Sequence, residues 1–305
     1  LFKNGNDLTM ASGATINRSG GMVNEAPTFA GTINLEYSQH TIQIPTALEM
    51  PDADIIQNVT ITTDNGVKAT KDFKINNVLN LAAINPHPDY GSLELVNDYG
   101  NYAQLTYGNT GYNNSTLPHN NFDSHVLTMA PNATTIGIGD VTGKIRRTGI
   151  LPNTTYDFGN LHTRLTFNPV NGSPIPPAVN VLVSRGAYGE HADNTEGVDI
   201  NGTIADRATV KRLYQVRYEG GALTESLFTL RMAYQADEIG ANDVESIISW
   251  DHHLPYAAKT PHEHGRTNFD SNVNWVELSN HKVSYLALEG STTFTKYWMV
   301  SEKEY

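Results

Sequence analysis

The chain has 305 residues, no cysteine, and a formal net charge of −12 from 20 basic and 32 acidic side chains. The lack of cysteine excludes disulfides, zinc–thiolate sites and cysteine nucleophiles, and the acidic balance disfavours binding to nucleic acid. Hydrophobic residues (39%) and charged residues (17%) are both scarce, and Asn, Thr, Ser and Gly replace them, which favours a turn-rich, all-β, secreted protein.

Residues 1–147 contain short segments in which apolar and polar residues alternate, for example 7–17, 28–37 and 58–63. Alternation with a period of two is the pattern of strands with one buried face. A parallel β-solenoid and an antiparallel sandwich both produce this rhythm. Small residues at the ends of the segments favour the solenoid. We therefore predict a β-solenoid-like domain over 1–147, with a sandwich as the alternative.

Residues 148–305 contain longer alternating segments, among them 210–218, 226–234 and 294–300, separated by turns rich in glycine and asparagine. Several short strands at spacings of about ten residues are typical of a sandwich. The prediction for 148–305 is an antiparallel β-sandwich domain. No run of about 18 apolar residues interrupts the chain, so no membrane-spanning helix is expected.

A set of short motifs in the second half resembles a known family. The motifs are Gly143-Lys-Ile-Arg-Arg-Thr148, Tyr156-Asp-Phe-Gly159, Leu165-Thr-Phe167, Lys211-Arg-Leu-Tyr-Gln-Val216, Tyr234-Gln-Ala-Asp-Glu238, Ser249-Trp-Asp251 and Phe294-Thr-Lys-Tyr-Trp298. Together they are similar to large secreted cell-surface proteins of Bacteroidetes, in which a rung-like repeat region precedes a β-sandwich. The resemblance implies an extracellular, cell-surface location and a structural, adhesive or filament-forming role. It implies no reaction.

Histidines near the end of the chain suggest one metal site. Asp251 and His252 precede His262 and His264 by about ten residues of sequence. In a strand, His262 and His264 would point the same way and could share a metal ion with His252 or Asp251 as the third ligand. The alternative is a polar loop between two strands, because no spacing here is diagnostic.

An acidic turn around Gly240 suggests a second metal site. It gathers Asp237, Glu238 and Asp243, whose carboxylate oxygens suit Ca²⁺ better than zinc. The alternative is a solvated acidic turn. We expect no other cofactor.

For function, we expect a non-enzymatic extracellular structural protein that assembles into a surface filament or layer. Its partners would be copies of itself or other cell-surface proteins, joined through β-strand edges or stacked ends. The sequence begins in mid-pattern without Met, so we also expect a signal peptide or further sequence to precede it. The predicted interface combines the first residues and the last strand, namely Leu1, Phe2, Leu8, Phe294, Tyr297 and Trp298.

Two other functions remain open. An adhesin or carbohydrate-binding module would use the loop tyrosines Tyr107, Tyr112, Tyr188 and Tyr256 to stack on glycans. A polysaccharide-active enzyme is less favoured, because no Gly-x-Ser-x-Gly nucleophile elbow is present and paired carboxylates are set by space rather than by sequence.

Overall fold

The computed structural model describes residues 8–38, 43–63, 65–82, 93–95, 125–160, 162–185, 210, 212–220, 225–240, 242–254, 262–288 and 295–302. These residues form an all-β structure with short 3₁₀ turns at Ala236–Glu238 and Val283–Tyr285. They divide into two compact units. The first contains the described residues of 8–149 together with 158–160, and the second contains 150–157 and the described residues of 162–302.

The strands of the first unit pair in parallel. In chain order they are β1 (Thr9–Met10), β2 (Ala14–Arg18), β3 (Thr28–Phe29), β4 (Ile33–Tyr37), β5 (Ile44–Pro45), β6 (Ile56–Ile61), β7 (Val67–Ala69), β8 (Phe73–Ile75), β9 (Val78–Leu81), β10 (Leu93–Leu95), β11 (Val126–Met129), β12 (Thr134–Gly137) and β13 (Val141–Thr148). One sheet has the order β12–β9–β6–β4–β2. A second ladder has the order β5–β7–β10 and ends on the first half of β13. A third ladder has the order β8–β11 and ends on the second half of β13. Successive coils of chain thus stack as a β-solenoid, which confirms the prediction.

The core of the first unit consists of side chains stacked in rows from coil to coil. Ile16 lies opposite Leu35, which lies opposite Val59, which in turn lies opposite Leu79. All four side chains are at most 4% exposed. Parallel strands lie about 4.8 Å apart, so side chains in register are in van der Waals contact. A second buried row is formed by Ile44, Val67, Leu93 and Val141.

A segment from later in the chain, 158–160, covers the inward side of the last coil. The Asn160 Nδ2 donates a hydrogen bond to Asp140 Oδ1 at 2.9 Å, and Phe158 is 1% exposed. Gly159 has φ +76°, and a Cβ there would lie 2.6 Å from both Val141 Cβ and Ile145 Cδ1. Only glycine fits such a position, because it lacks the Cβ and tolerates positive φ.

The strands of the second unit form two antiparallel sheets. They are β14 (Thr155–Asp157), β15 (Arg164–Asn168), β16 (Ala178–Arg185), β17 (Arg212–Glu219), β18 (Leu227–Ala233), β19 (Ile247–Leu254), β20 (His262–Gly265), β21 (Asn268–Asp270), β22 (Trp275–Lys282), β23 (Ala287–Leu288) and β24 (Thr295–Glu302). One sheet has the order β14–β15–β18–β22–β21, and the other has the order β20–β19–β24–β17–β16, with β23 parallel beside β17.

Side chains from the two sheets pack against each other. Trp298 of β24 meets Phe228 of β18 edge to face, with ring centroids 6.0 Å apart, and both are 0% exposed. The Tyr214 hydroxyl of β17 donates to the Ala233 carbonyl of β18. The second unit is therefore an antiparallel β-sandwich, as predicted. Within the described residues, no helix is long and apolar enough to cross a membrane.

We expect Gly159→Ala to destabilise the protein by roughly 2–4 kcal/mol, because the new Cβ meets packed side chains and the backbone is strained. Gly172→Ala is the matched control, since Gly172 has φ +75° with nothing within 4 Å of its would-be Cβ. We expect the control to lose only about 1 kcal/mol of stability, from the backbone strain alone. Urea unfolding of both variants measures the difference, and equal losses would show that 158–160 does not pack as described.

Candidate functional site

The predicted histidine site lies partly inside the sandwich. His264 Nε2 is 2.8 Å from Asp251 Oδ2, and the two side chains are 11% and 1% exposed. The pairing of β19 with β20 shifts here, from Ser249 opposite Gly265 to Trp250 opposite Glu263. The shift places one extra residue, His264, in β20, which is the arrangement of a β-bulge.

The Asp251–His264 pair belongs to an aromatic cluster between the sheets. The His264 ring lies 5.5 Å from the His281 ring and 5.0 Å from the Trp298 ring, measured between centroids. His281 is on β22 and Trp298 is on β24, so the imidazole contacts side chains of both sheets. The geometry gives His264 a packing role in the core.

The described residues bring no group of three His, Asp or Glu side chains together to hold a metal ion. His252 and His262 lie in β19 and β20, but their side chains lie outside the described part of the structure. A metal shared by these two histidines and His264 stays a prediction.

The acidic turn does not assemble as a calcium site. Glu238 is buried and faces Arg212, whose Nε lies 2.7 Å from Oε2 and whose Nη2 lies 2.8 Å from Oε1. Asp243 accepts from the Ser246 hydroxyl at 2.9 Å, and Asp237 is exposed. These carboxylates stabilise a turn and a buried ion pair instead of gathering around one cation.

The predicted edge role of the last strand is wrong. β24 lies between β19 and β17 and pairs with both. Trp298 is fully buried, so it is not accessible to a partner. In this strand Tyr297 lies opposite His252, and the side chain of Tyr297 is not among the described parts of the structure.

The other predicted interface residues divide into two groups. Leu1, Phe2 and Phe294 lie outside the described residues. Leu8 is half-buried, and its carbonyl accepts a hydrogen bond from the Thr28 amide at 2.8 Å.

A cluster that the sequence reasoning missed lies where the solenoid begins. Arg18 Nη1 is 2.5 Å from Glu49 Oε1, and the side chains are 4% and 1% exposed. The Tyr37 hydroxyl donates to the same carboxylate at 3.1 Å, and the Ala47 amide donates to both of its oxygens at 3.1 Å. Arg18 is two residues after Ile16 in β2, so both side chains point to the same, inward side of the strand. This spacing is the sequence feature that could have placed Arg18 in the interior.

The hydroxyl of Tyr37 stays protonated over the physiological pH range. Burial raises its pKa well above the usual value, and the negative charge of Glu49 raises it further. The neutral phenol is therefore a permanent donor to the carboxylate. The hydrogen bond from Tyr37 to Glu49 therefore persists at neutral pH.

Two large apolar side chains are exposed beside this cluster. Met22 is 67% exposed and Leu48 is 47% exposed. Met22 comes directly after Gly21, and Leu48 comes three residues after Pro45, the last residue of β5. The carbonyls of Gly21 and Pro45 both accept hydrogen bonds from Arg18. β2 and β5 are the terminal strands of their ladders among the described residues. We call the surface made of the exposed Met22 and Leu48 with the edges of β2, in the first coil, and β5, in the second coil, the first-coil end. Arg18 and Glu49 are buried beside it.

No protein-family model, no curated protein and no solved structure matches this chain. We therefore infer function from the geometry of the described residues.

Glu49→Gln should lower the free energy of unfolding by about 3 kcal/mol, since it leaves the buried Arg18 guanidinium without a counter-charge. Asp52→Asn is the control, because its ion pair with Lys71 (2.7 Å) involves a carboxylate that is 97% exposed and such surface pairs contribute little. Chemical denaturation compares the two, and equal stabilities for E49Q and wild type would contradict the buried cluster.

His264→Phe keeps an aromatic ring at this position but removes both imidazole nitrogens, including the Nε2 that lies 2.8 Å from Asp251 Oδ2. We expect a loss of about 1–3 kcal/mol in stability, the usual result of removing a polar neighbour of a buried carboxylate. His125→Phe is a matched change in a more exposed pair, in which Nδ1 lies 3.4 Å from Asp72 Oδ1 and the aspartate is 71% exposed. If thermal melts show that H125F lowers the melting temperature as much as H264F does, then the Asp251–His264 contact contributes no more to stability than the exposed pair.

Proposed function

We propose that the chain is a non-enzymatic extracellular structural protein that self-associates through its first-coil end. The supporting observation is that the two ends of the solenoid differ. At the last coil, 158–160 lies against the inward residues Val141 and Ile145. At the first-coil end, the ladders formed by the described residues terminate in β2 and β5, and Met22 and Leu48 are exposed.

A terminal strand of a parallel ladder presents backbone N–H and C=O groups that another strand can pair with. The alternation in β2 puts Thr15 and Asn17 outward, and Ile16 and Arg18 inward. An added strand that keeps this register would continue both the apolar and the polar rows. Burying Met22 or Leu48 in the contact would contribute at most about 3 kcal/mol each.

The partner we propose is a second copy of this chain. The same end of each copy would face the other, so the contact is related by a two-fold axis and closes as a dimer. The covering of the last coil by 158–160 disfavours unlimited stacking of coils. A filament or layer would therefore need a further contact, for which β14, β20 and β21 at the ends of the sandwich sheets are the candidates.

The extracellular location is supported by the turn-rich, cysteine-free composition and by the resemblance to secreted cell-surface proteins of Bacteroidetes. The stacked coils support a structural role, because each coil is held by its neighbours through buried rows.

We expect sedimentation velocity to show a monomer–dimer equilibrium for the wild type that shifts to dimer with rising concentration. The double variant Met22→Asp, Leu48→Asp should be monomeric at every concentration, because each contact would bring four carboxylates together. Val273→Asp is the control, since Val273 is an exposed apolar residue (41%) of the sandwich unit, and it should dimerise like the wild type.

Circular dichroism melts will show whether both variants remain folded. A wild type that stays monomeric at the highest soluble concentration would overturn the proposal. So would a dimer that survives in the double variant.

A further inference from the structure

The outward side of the sheet β12–β9–β6–β4–β2 is almost free of charge. Alternate residues of its five strands point away from the core. Among these outward positions only Glu36 is charged. The others are mainly amides and hydroxyls, including Asn17, Asn34, Asn58, Thr60 and Asn80. We call this surface the amide face.

Two amides of this face, Asn34 and Asn58, are held in a ladder across the coils, which Asn77, just before β9, joins. Asn77 Nδ2 donates to Asn58 Oδ1 at 2.8 Å, and Asn58 Nδ2 donates to Asn34 Oδ1 at 2.7 Å. Asn34 Nδ2 donates to the Gly13 carbonyl at 3.2 Å. An amide has two N–H donors and two carbonyl lone pairs. Asn58 and Asn34 each donate once and accept once in the ladder, so each amide has one further N–H and one further lone pair.

The ladder also fixes the side chains before any ligand arrives. A side chain that is already ordered loses less entropy on binding. The coils place equivalent groups about 4.8 Å apart, so the donors and acceptors form a regular array. Ser38 adds to it by donating to Asn17 Oδ1 at 3.1 Å.

Apart from Glu36, the charged residues of the solenoid strands lie away from this face. Lys71 pairs with Asp52 at 2.7 Å and Lys74 pairs with Asp54 at 2.9 Å, next to and within β8 of the third ladder. An anionic ligand would meet Glu36 and an overall charge of −12, which disfavours it. A depletion of charge is also what distinguishes the centres of interaction surfaces from the remaining protein surface.

We propose that the amide face binds a neutral polysaccharide, a polymer whose repeated hydroxyls pair with the ladder amides and the threonine hydroxyls. The chain of sugars runs across the coils, so several weak contacts act together. The amide face shares β2 with the first-coil end, but Asn34, Asn58, Thr60 and Asn80 lie on β4, β6 and β9, so the proposed binding does not depend on self-association.

The test is co-sedimentation with insoluble uncharged glycans, cellulose and β-1,3-glucan, with polygalacturonate gel as the anionic comparison. The Met22→Asp, Leu48→Asp background removes the proposed dimer contact, so a failure of glycan binding is separable from a failure of self-association. We expect retention on a neutral glycan that 0.5 M salt does not weaken, because surface charge interactions are screened at about that ionic strength.

Thr60→Lys with Asn80→Lys should reduce retention roughly tenfold or more, since both hydrogen-bonding groups are replaced by hydrated charges. Thr142→Lys is the matched control, because Thr142 is another outward, half-buried threonine of a solenoid strand, β13. It should bind as before. Glu36→Gln should also keep or strengthen retention, because it removes the one charge of the face.

Three outcomes would overturn the proposal. The first is no retention on either neutral glycan. The second is equal retention by the Thr60→Lys, Asn80→Lys variant and the Thr142→Lys control with both folded. The third is retention that occurs only on polygalacturonate and is lost in salt.

Discussion

A coil of short strands can bury its apolar side only against the next coil, and this constraint shapes the whole first unit. Rows such as Ile16, Leu35, Val59 and Leu79 exist because each strand keeps the register of the one before it. A slip by one residue would turn every apolar side chain outward. The same register aligns Asn34 with Asn58, so the polar ladder outside depends on the apolar rows inside.

In a stack where each coil is stabilised by its neighbours, the first and last coils each lack one neighbour to bury their inward side chains. At the last coil the chain returns, and Gly159 lets its backbone lie directly on Val141 and Ile145. At the first coil a buried arginine, Arg18, takes the inward position and is neutralised by Glu49. The two ends therefore differ in what they expose. Beside the buried Arg18–Glu49 ion pair, Met22 and Leu48 are exposed, which is why we propose self-association at this end.

The sandwich uses buried polar groups in a related way. Arg212 with Glu238 and Asp251 with His264 are charged or polar pairs enclosed in an apolar interior. Such pairs add little net stability compared with apolar packing, but breaking one is costly, so they disfavour alternative arrangements of the strands. Two of the carboxylates that resembled metal ligands in the sequence, Glu238 and Asp251, instead face a basic or imidazole side chain of another segment.

Local alternation was sufficient to predict strands with one buried face, because such a strand needs a period of two wherever it lies. It did not distinguish a solenoid from a sandwich in the first half of the chain, where the small residues at the ends of the segments favoured the solenoid. It was not sufficient for the order of strands in a sheet. β24 follows all the other strands in sequence, yet it lies between β19 and β17, so Trp298 is a core residue rather than an edge residue.

The amino-acid sequence by itself determined which residues form strands and which of their sides are apolar, since both depend on near neighbours in the chain. Only the tertiary structure decided which carboxylate meets Arg18, which residues cover the last coil and which amides align into a ladder. These contacts join residues about 20 or more positions apart, and their geometry exists only after the coils and sheets have packed.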